Sequence, residues 1–204
     1  LLTTVGATPT SYSDTTVAHS TTYTYTVSAI DAADNESPQG DPASATTQTP
    51  PQTLTFTPTA DTFVQSDLAG TNFGSATSVQ VDNNPTKHFL LKFAVSGIGG
   101  RTVVRARLRL WCVDSSNYGG AFHRVANTSW SEQTVTWNTA PPGDAAVLGS
   151  LGAVARNTWY EVDVTPLVTG DGAVSLRTTS TSKNGADFSS KEGVAPPQLV
   201  VTVG

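Results

Sequence analysis

The run VVRARLRLWCV, residues 103–113, places arginine at every second position, Arg105, Arg107 and Arg109, and Trp111 continues the spacing. Side chains alternate between the faces of an extended strand. These four therefore share one side, while Val104, Ala106, Leu108, Leu110 and Cys112 take the buried one. A row of guanidinium groups beside an indole suits an acidic polysaccharide, because the planar fork grips carboxylates through paired hydrogen bonds and the ring offers a flat apolar surface. Polyuronates fit that chemistry. The same arginines could instead pair across strands with Glu161 and Asp163, which share a parity in WYEVDV, residues 159–164, as an exposed charge ladder. Such ladders are common and add little stability.

HFLLKFAV, residues 88–95, follows the same logic, with Phe89, Leu91, Phe93 and Val95 inward and His88 and Lys92 outward. Lys92 thereby joins the candidate ligand-binding residues. A second chemistry is open to the oxygen-rich segments ADTF and TNFG and to the end of DFSSKE. Asp61, Asn72 and Glu192 could supply oxygen ligands to a structural calcium ion, which takes several such donors from converging loops. No EF-hand spacing is present, and Asx turns explain the same Asp and Asn residues.

Two of the four tryptophans, Trp130 and Trp137, flank SEQTVT. The segment predicts a tight loop feeding a short strand over TVTW, residues 134–137, stopped by NTAPPG. Large aromatics so placed plug the end of a sandwich in preference to forming a sugar-stacking platform. No catalytic residue is nominated. His19, His88 and His123 lie in separate segments, and there is no Gly-x-Ser-x-Gly elbow, His-Glu-x-x-His pair or phosphate-cradling loop. The chain reads as a non-enzyme.

The elements that must position these residues are strands. Of 204 residues, 37% are hydrophobic and only 13% charged, and Thr, Ser, Gly and Val are abundant, a composition that favours strand and turn. Net charge is −5, with no basic run, so attraction to nucleic acid or to an anionic membrane is not expected. No apolar run approaches the roughly twenty residues of a membrane span. Cys112 is the only cysteine, which excludes an internal disulfide and a multi-cysteine zinc site, and its place in the alternating run predicts a buried, inert thiol. With no initiator Met and no leader, the chain reads as part of a longer multidomain polypeptide.

A composition break falls at TTQTPPQTLTFTP, where Pro50 and Pro51 stiffen an uncharged stretch. The expected organisation is residues 1–48, a linker over 49–53, and a second domain over 54–204. In the first part, TTYTYTVSAIDAADNESP alternates Tyr23, Tyr25, Val27 and Ala29 against Thr and Ser. With VAHSTTY upstream, this stretch resembles the last third of a fibronectin type III domain, Tyr23 standing where that family has its tyrosine-corner residue. His19 replaces the usual Pro and Asp34 the usual Gly, both at turn positions. Half a sandwich leaves an open edge, so the resemblance implies completion by another chain, with self-assembly through that edge as an alternative function.

The second part carries about eleven strand-like runs with turn signals between them, among them DTFVQ, SVQVD, AFHRVA, AVSLRTTS and QLVVTV. The expected fold is all-β: a jelly-roll β-sandwich preceded by a partial immunoglobulin-like sandwich. ADTFVQSDLAGTNFGSATSVQVDN, FLLKFAVSGI, RARLRLW, TSWSEQTVTWNTAP, WYEVDVTPLVTGDGAVSLRTTS and DFSSKEGVAPPQLVVTV, in that order, resemble the bacterial extracellular domains called DNRLRE, a group that includes alginate-binding carbohydrate-binding modules. The resemblance implies a non-catalytic polysaccharide-binding module of a secreted or cell-surface bacterial protein. Members of the group tend to have arginine where this chain has Lys191, the last of the candidate ligand-binding residues. Lysine keeps the charge without the planar fork, and the adjacent Glu192 could hold it in place.

Overall fold

Alternating threonine and tyrosine in TYTY produce the first strand, β1 (Thr22–Tyr25), which pairs antiparallel with β2 (Ala43–Thr46). Threonine hydroxyls bond across the pair, Thr22 to Thr46 and Thr24 to Ser44, each at 2.7 Å. The Tyr23 hydroxyl accepts the Ala18 N–H at 2.9 Å, five residues upstream. The computed structural model describes residues 2–6, 8 and 11–204, and the chain forms two units, Leu1–Pro51 and Gln52–Gly204. Residues 1, 7, 9 and 10 of the fibronectin-like stretch lie outside the described residues. The alternation expected to run on to Ala29 stops at Tyr25, and Val27, 78% exposed, and Ile30, 48% exposed, are left uncovered.

The second unit contains eleven strands: β3 (Gln52–Phe56), β4 (Ala60–Gln65), β5 (Ser78–Asn83), β6 (Thr86–Val95), β7 (Val103–Asp114), β8 (Gly120–Arg124), β9 (Val147–Leu151), β10 (Thr158–Asp163), β11 (Gly172–Thr179), β12 (Ala186–Ser189) and β13 (Gln198–Val203). All pairings are antiparallel. In one sheet β7 lies between β10 on one edge and β13 and β12 on the other, with β3 outside β13 and β5 outside β12. The other sheet runs β4, β6, β11, β8, β9, and the β5–β6 hairpin joins the two at a corner. This is a sandwich, compatible with a jelly roll. Strand β3 begins at Gln52, which pairs with Val203, so the last two residues of the expected linker are already in the sheet.

Period-two patterning builds the core between the sheets. Leu108, Leu110 and Cys112 from β7, Phe89, Leu91 and Phe93 from β6, Val79 and Val81 from β5, and Leu199 and Val201 from β13 are all fully buried together. Val104 departs from the expected parity and is 60% exposed. Here β7 bulges: Thr202 pairs with Arg105 but Val203 with Val103, so Val104 is the extra residue and turns outward.

A smaller second core lies on the outer face of the β4–β6–β11 sheet. Ala60, Val64 and Leu90 are buried there by Trp130 and Val135, with Trp137 and Ala140 packed alongside. Trp130 donates its indole N–H to Ser175 Oγ at 2.9 Å, and the Ser175 hydroxyl donates to Leu91 O at 3.1 Å. The tryptophan loop thus covers a sheet face rather than plugging an end, and that is why Leu90 is buried although its parity is outward. TVTW is not a strand. Thr134 and Val135 donate to Ser131 O, and Thr139 and Ala140 to Thr136 O, so two consecutive turns use the N–H groups a strand would have aimed at a neighbour. Gly74 admits this loop: a Cβ there would lie 2.1 Å from Glu132 O. Trp130→Ala is expected to lower stability by about 3–5 kcal/mol, read from the urea midpoint, and a loss below about 1 kcal/mol would contradict this second core.

Candidate functional site

The outer face of the β7–β10 pair carries the sequence-predicted stripe. Ala106, Leu108, Leu110 and Cys112 are fully buried on the inner face, which sends Arg105, Arg107, Arg109 and Trp111 outward. Register places Trp159 opposite Trp111, Glu161 opposite Arg109 and Asp163 opposite Arg107. The two indoles meet edge to face with centroids 5.6 Å apart, and the Arg109 guanidinium lies 4.9 Å from the Trp159 ring centroid. On the far side of β7, Gln198 Oε1 accepts from Arg109 Nη1 at 2.7 Å.

Glu161 is shared. Arg107 Nη1 donates to its Oε2 at 2.5 Å, while Arg109 Nε stands 3.0 Å from its Oε1, a charge contact without hydrogen-bond alignment. The Arg107 and Glu161 side chains remain 41% and 37% exposed, so each pair contributes about 0–1 kcal/mol to stability. Arg105 has no ion-pair partner among the described residues. The Asp163 carboxyl is held below its ordinary range, first by the N–H and hydroxyl of Thr165 and to a lesser degree by Arg105 and Arg107. Three guanidinium groups therefore stand beside two carboxylates, of which only Glu161 is ion-paired, and the stripe keeps a local positive excess in a chain of net charge −5. From Arg105 to Trp111 it spans roughly 20 Å at about 3.3 Å per residue, room for several sugar units.

Lys92 is not brought to this stripe. It projects from β6 on the other sheet, where Nζ donates to Trp130 O at 2.5 Å and Thr128 O at 3.1 Å and lies 4.7 Å from the Trp130 ring centroid. There it fastens the tryptophan loop.

Lys191 also sits elsewhere, among carboxylates. Asp61, Glu132 and Glu192 each place an oxygen within 4.8 Å of the others, and Lys191 Nζ bonds Glu192 and lies 3.1 Å from Glu132 Oε2. Asp61 is fully buried; its N–H donates to Glu132 Oε1 at 2.8 Å and its Oδ2 accepts the Lys191 N–H at 2.7 Å. Burial is the main force raising the Asp61 pKa to about 7, with the nearby charges of Glu192 and Glu132 adding to it. Hydrogen bonding to Glu192 raises that of Lys191.

Two of the three expected calcium ligands, Asp61 and Glu192, thus converge, but Asn72 is not beside them in that role. Its amide donates to Glu132 O at 2.8 Å and Val135 O at 2.7 Å, and its Oδ1 accepts from Gly74, so the side chain is spent on holding the loop. With Lys191 in place the cluster does not fit calcium, because an ammonium already bridges two carboxylates and would compete for their oxygens.

Three contributors escaped the sequence reading. Trp159 was legible, since it shares the parity of Glu161 and Asp163 in WYEVDV. Gln198 opens β13 and Glu132 lies in the tryptophan loop; neither carries a local signal, because each is placed by a contact with residues distant in the chain. Cys112 behaves as expected: it is buried, and burial lifts its thiol to about 11.

Because the fold favours protonated Asp61, the native state holds a proton between about pH 4 and pH 7 that the unfolded chain has released. Asp61 thus contributes a fall in stability as pH rises through that window, by about 4 kcal/mol at most, set against an opposite contribution from His88, which the fold holds neutral down to about pH 4. In chelator-containing buffer, Asp61→Asn is expected to flatten this fall in a series of urea midpoints; an unaltered slope would contradict it. Calcium added to the wild type should leave its midpoint unchanged, whereas a calcium-dependent rise would show that the ion displaces Lys191.

One curated relative is a gellan lyase from Bacillus sp, 28% identical over 165 residues, which covers 73% of this chain but 7% of the relative. The chain therefore spans only a small fraction of that protein's length. The family model for carbohydrate-binding module family 96 matches residues 52–203, the whole sandwich from β3 to β13. By that match, the chain belongs to carbohydrate-binding module family 96.

Proposed function

We propose that this module binds a carboxylated polysaccharide along the β7–β10 face, as a non-catalytic part of a longer secreted bacterial protein. The observation that carries the reading is the row Arg105, Arg107, Arg109 and Trp111, backed by Trp159, on one solvent-facing surface of a chain in a carbohydrate-binding family. Arginine forks recognise carboxylates, and the indoles offer apolar surface to sugar rings. Glu161 acts as an internal stand-in for the ligand's carboxylate: it keeps Arg107 and Arg109 extended and aligned, and it competes with the polymer for them. Similarity to a gellan lyase fits attachment to a larger polysaccharide-processing protein outside the cell.

Affinity electrophoresis of the full chain through alginate, pectate and gellan tests the reading. Retardation should weaken with salt, as expected of partly exposed charges. Arg107→Ala is expected to weaken it by about tenfold and Glu161→Gln to strengthen it several-fold, since the latter frees two guanidinium groups. If no polymer retards the wild type, or if Glu161→Gln has no effect, the arginines and Glu161 form a structural ladder and the reading fails.

A further inference from the structure

A second candidate site lies on the outer face of the other sheet, away from the arginine stripe. Thr62, Leu90, Arg177 and His123 form one row across β4, β6, β11 and β8. The loop that follows Trp137 adjoins this row, and a cavity of about 220 Å³ is lined there by His88, His123, Gly143, Asp144 and Arg177 among others. Gly143 is required for the close approach: a Cβ there would lie 2.9 Å from His123 Cβ.

Arg177 is half-buried and has no carboxylate within ion-pair distance among the described residues. Its Nε donates to His88 Nδ1 at 3.1 Å and its Nη1 to Pro141 O at 2.9 Å, and its guanidinium carbon lies 5.6 Å from the Trp137 ring centroid. Three of its five N–H donors are then without a partner among the described residues. The histidines are preset around it. His88 Nδ1 accepts from Arg177, so Nε2 carries the proton, and burial, with a smaller contribution from Arg177, pushes the ring down to about 4 and keeps it neutral. His123 Nδ1 faces the carbonyls of Asp144 and Ala146 at 2.9 and 3.2 Å, and Nε2 accepts from the Thr179 hydroxyl at 3.0 Å. A partly desolvated guanidinium with spare donors and no carboxylate within ion-pair distance, the acid Asp144 lining the cavity farther off, is an arrangement completed by an anion.

We propose that this cavity is a second saccharide subsite, which takes the carboxylate of a single uronate residue on Arg177 with the His88 Nε2–H as an additional donor. The inference rests on reading the module as a carbohydrate binder, but not on the β7–β10 face as its platform. The volume admits one sugar-sized group rather than a chain, so the subsite would hold a chain end or a side-branch acid.

The test is a nitrogen-15 NMR titration of the full chain with sodium glucuronate, methyl glucoside and sodium acetate at matched ionic strength, read at the Arg177 Nε–H and the Trp137 indole N–H. Glucuronate should give saturable shifts at both groups, and neither methyl glucoside nor acetate should reproduce them. Arg177→Lys is expected to weaken glucuronate binding by about tenfold, since the fork is lost while the charge stays. Gly143→Ala, whose methyl would crowd His123 Cβ and displace the cavity wall, should weaken it as well. No saturable shift at tens of millimolar, an equal response to methyl glucoside or to acetate, or undiminished binding by Arg177→Lys would overturn the subsite. Loss of polymer retardation with these shifts intact would instead count against the β7–β10 platform alone.

Discussion

Strand β7 has hydrogen-bonded neighbours along both edges, β10 on one side and β13 and β12 on the other, and most of what this module presents to solvent follows from that constraint. A central strand with one face sealed in a core has no freedom of register, since a slip of one residue would send three arginines inward and bring Leu108, Leu110 and Cys112 to water. The outward face of β7 is therefore an obligatory charged row, and its neighbours determine its chemistry. The β10 register puts Glu161 within reach of two arginines and sets Trp159 against Trp111. At the other end a single bulge lets Val104 leave the core, where the sheet is ending and the cost is small.

Five basic side chains on this fold meet four different fates, and burial separates them. Arg107 and Arg109 share an acid at a surface where water screens the pair, so their attraction for Glu161 is weak enough for a ligand to compete with. Lys191 lies among three carboxylates beside a fully buried Asp61, where its loss would leave like charges facing one another in a poorly solvated space. Lys92 is spent on backbone carbonyls and an indole and serves the tryptophan loop. Arg177, half-buried with no acid within ion-pair distance among the described residues, is the one whose local chemistry is left incomplete. Net charge conveys none of this: a chain at −5 keeps a local excess of arginine on the β7–β10 face, while Glu132 and Glu192 are drawn to Lys191 elsewhere.

The all-β class, the count of strands in the second unit and the inner and outer faces of β7 were legible from alternation, because a strand's period of two is a local property enforced by burial. The pairing of Arg107 and Arg109 with Glu161 was legible as one of two alternatives, since parity put both partners on outward faces. Less could be read where covering loops decide. Leu90 carries an outward parity, yet Trp130 and Val135 bury it. TVTW has a strand-like alternation, yet Thr134 and Val135 spend their N–H groups on Ser131 O and Thr136 spends its own on the Thr139 hydroxyl, all within the loop. Asn72 has the chemistry of a ligand, but its amide is committed to the loop that carries Glu132.

By itself, then, the sequence determined which side of the main strands faces the core between the sheets and which side chains of β7 could grip an acidic sugar, because alternation depends on neighbours two residues apart. Only the tertiary structure decided which strands lie edge to edge, that Lys92 and the arginine stripe belong to different sheets, that Glu132 completes a carboxylate cluster filled by Lys191, and that Arg177 lines a cavity with no carboxylate within ion-pair distance. Those outcomes rest on contacts between residues tens of positions apart, set by register and by the packing of one tryptophan loop, and no local pattern encodes them.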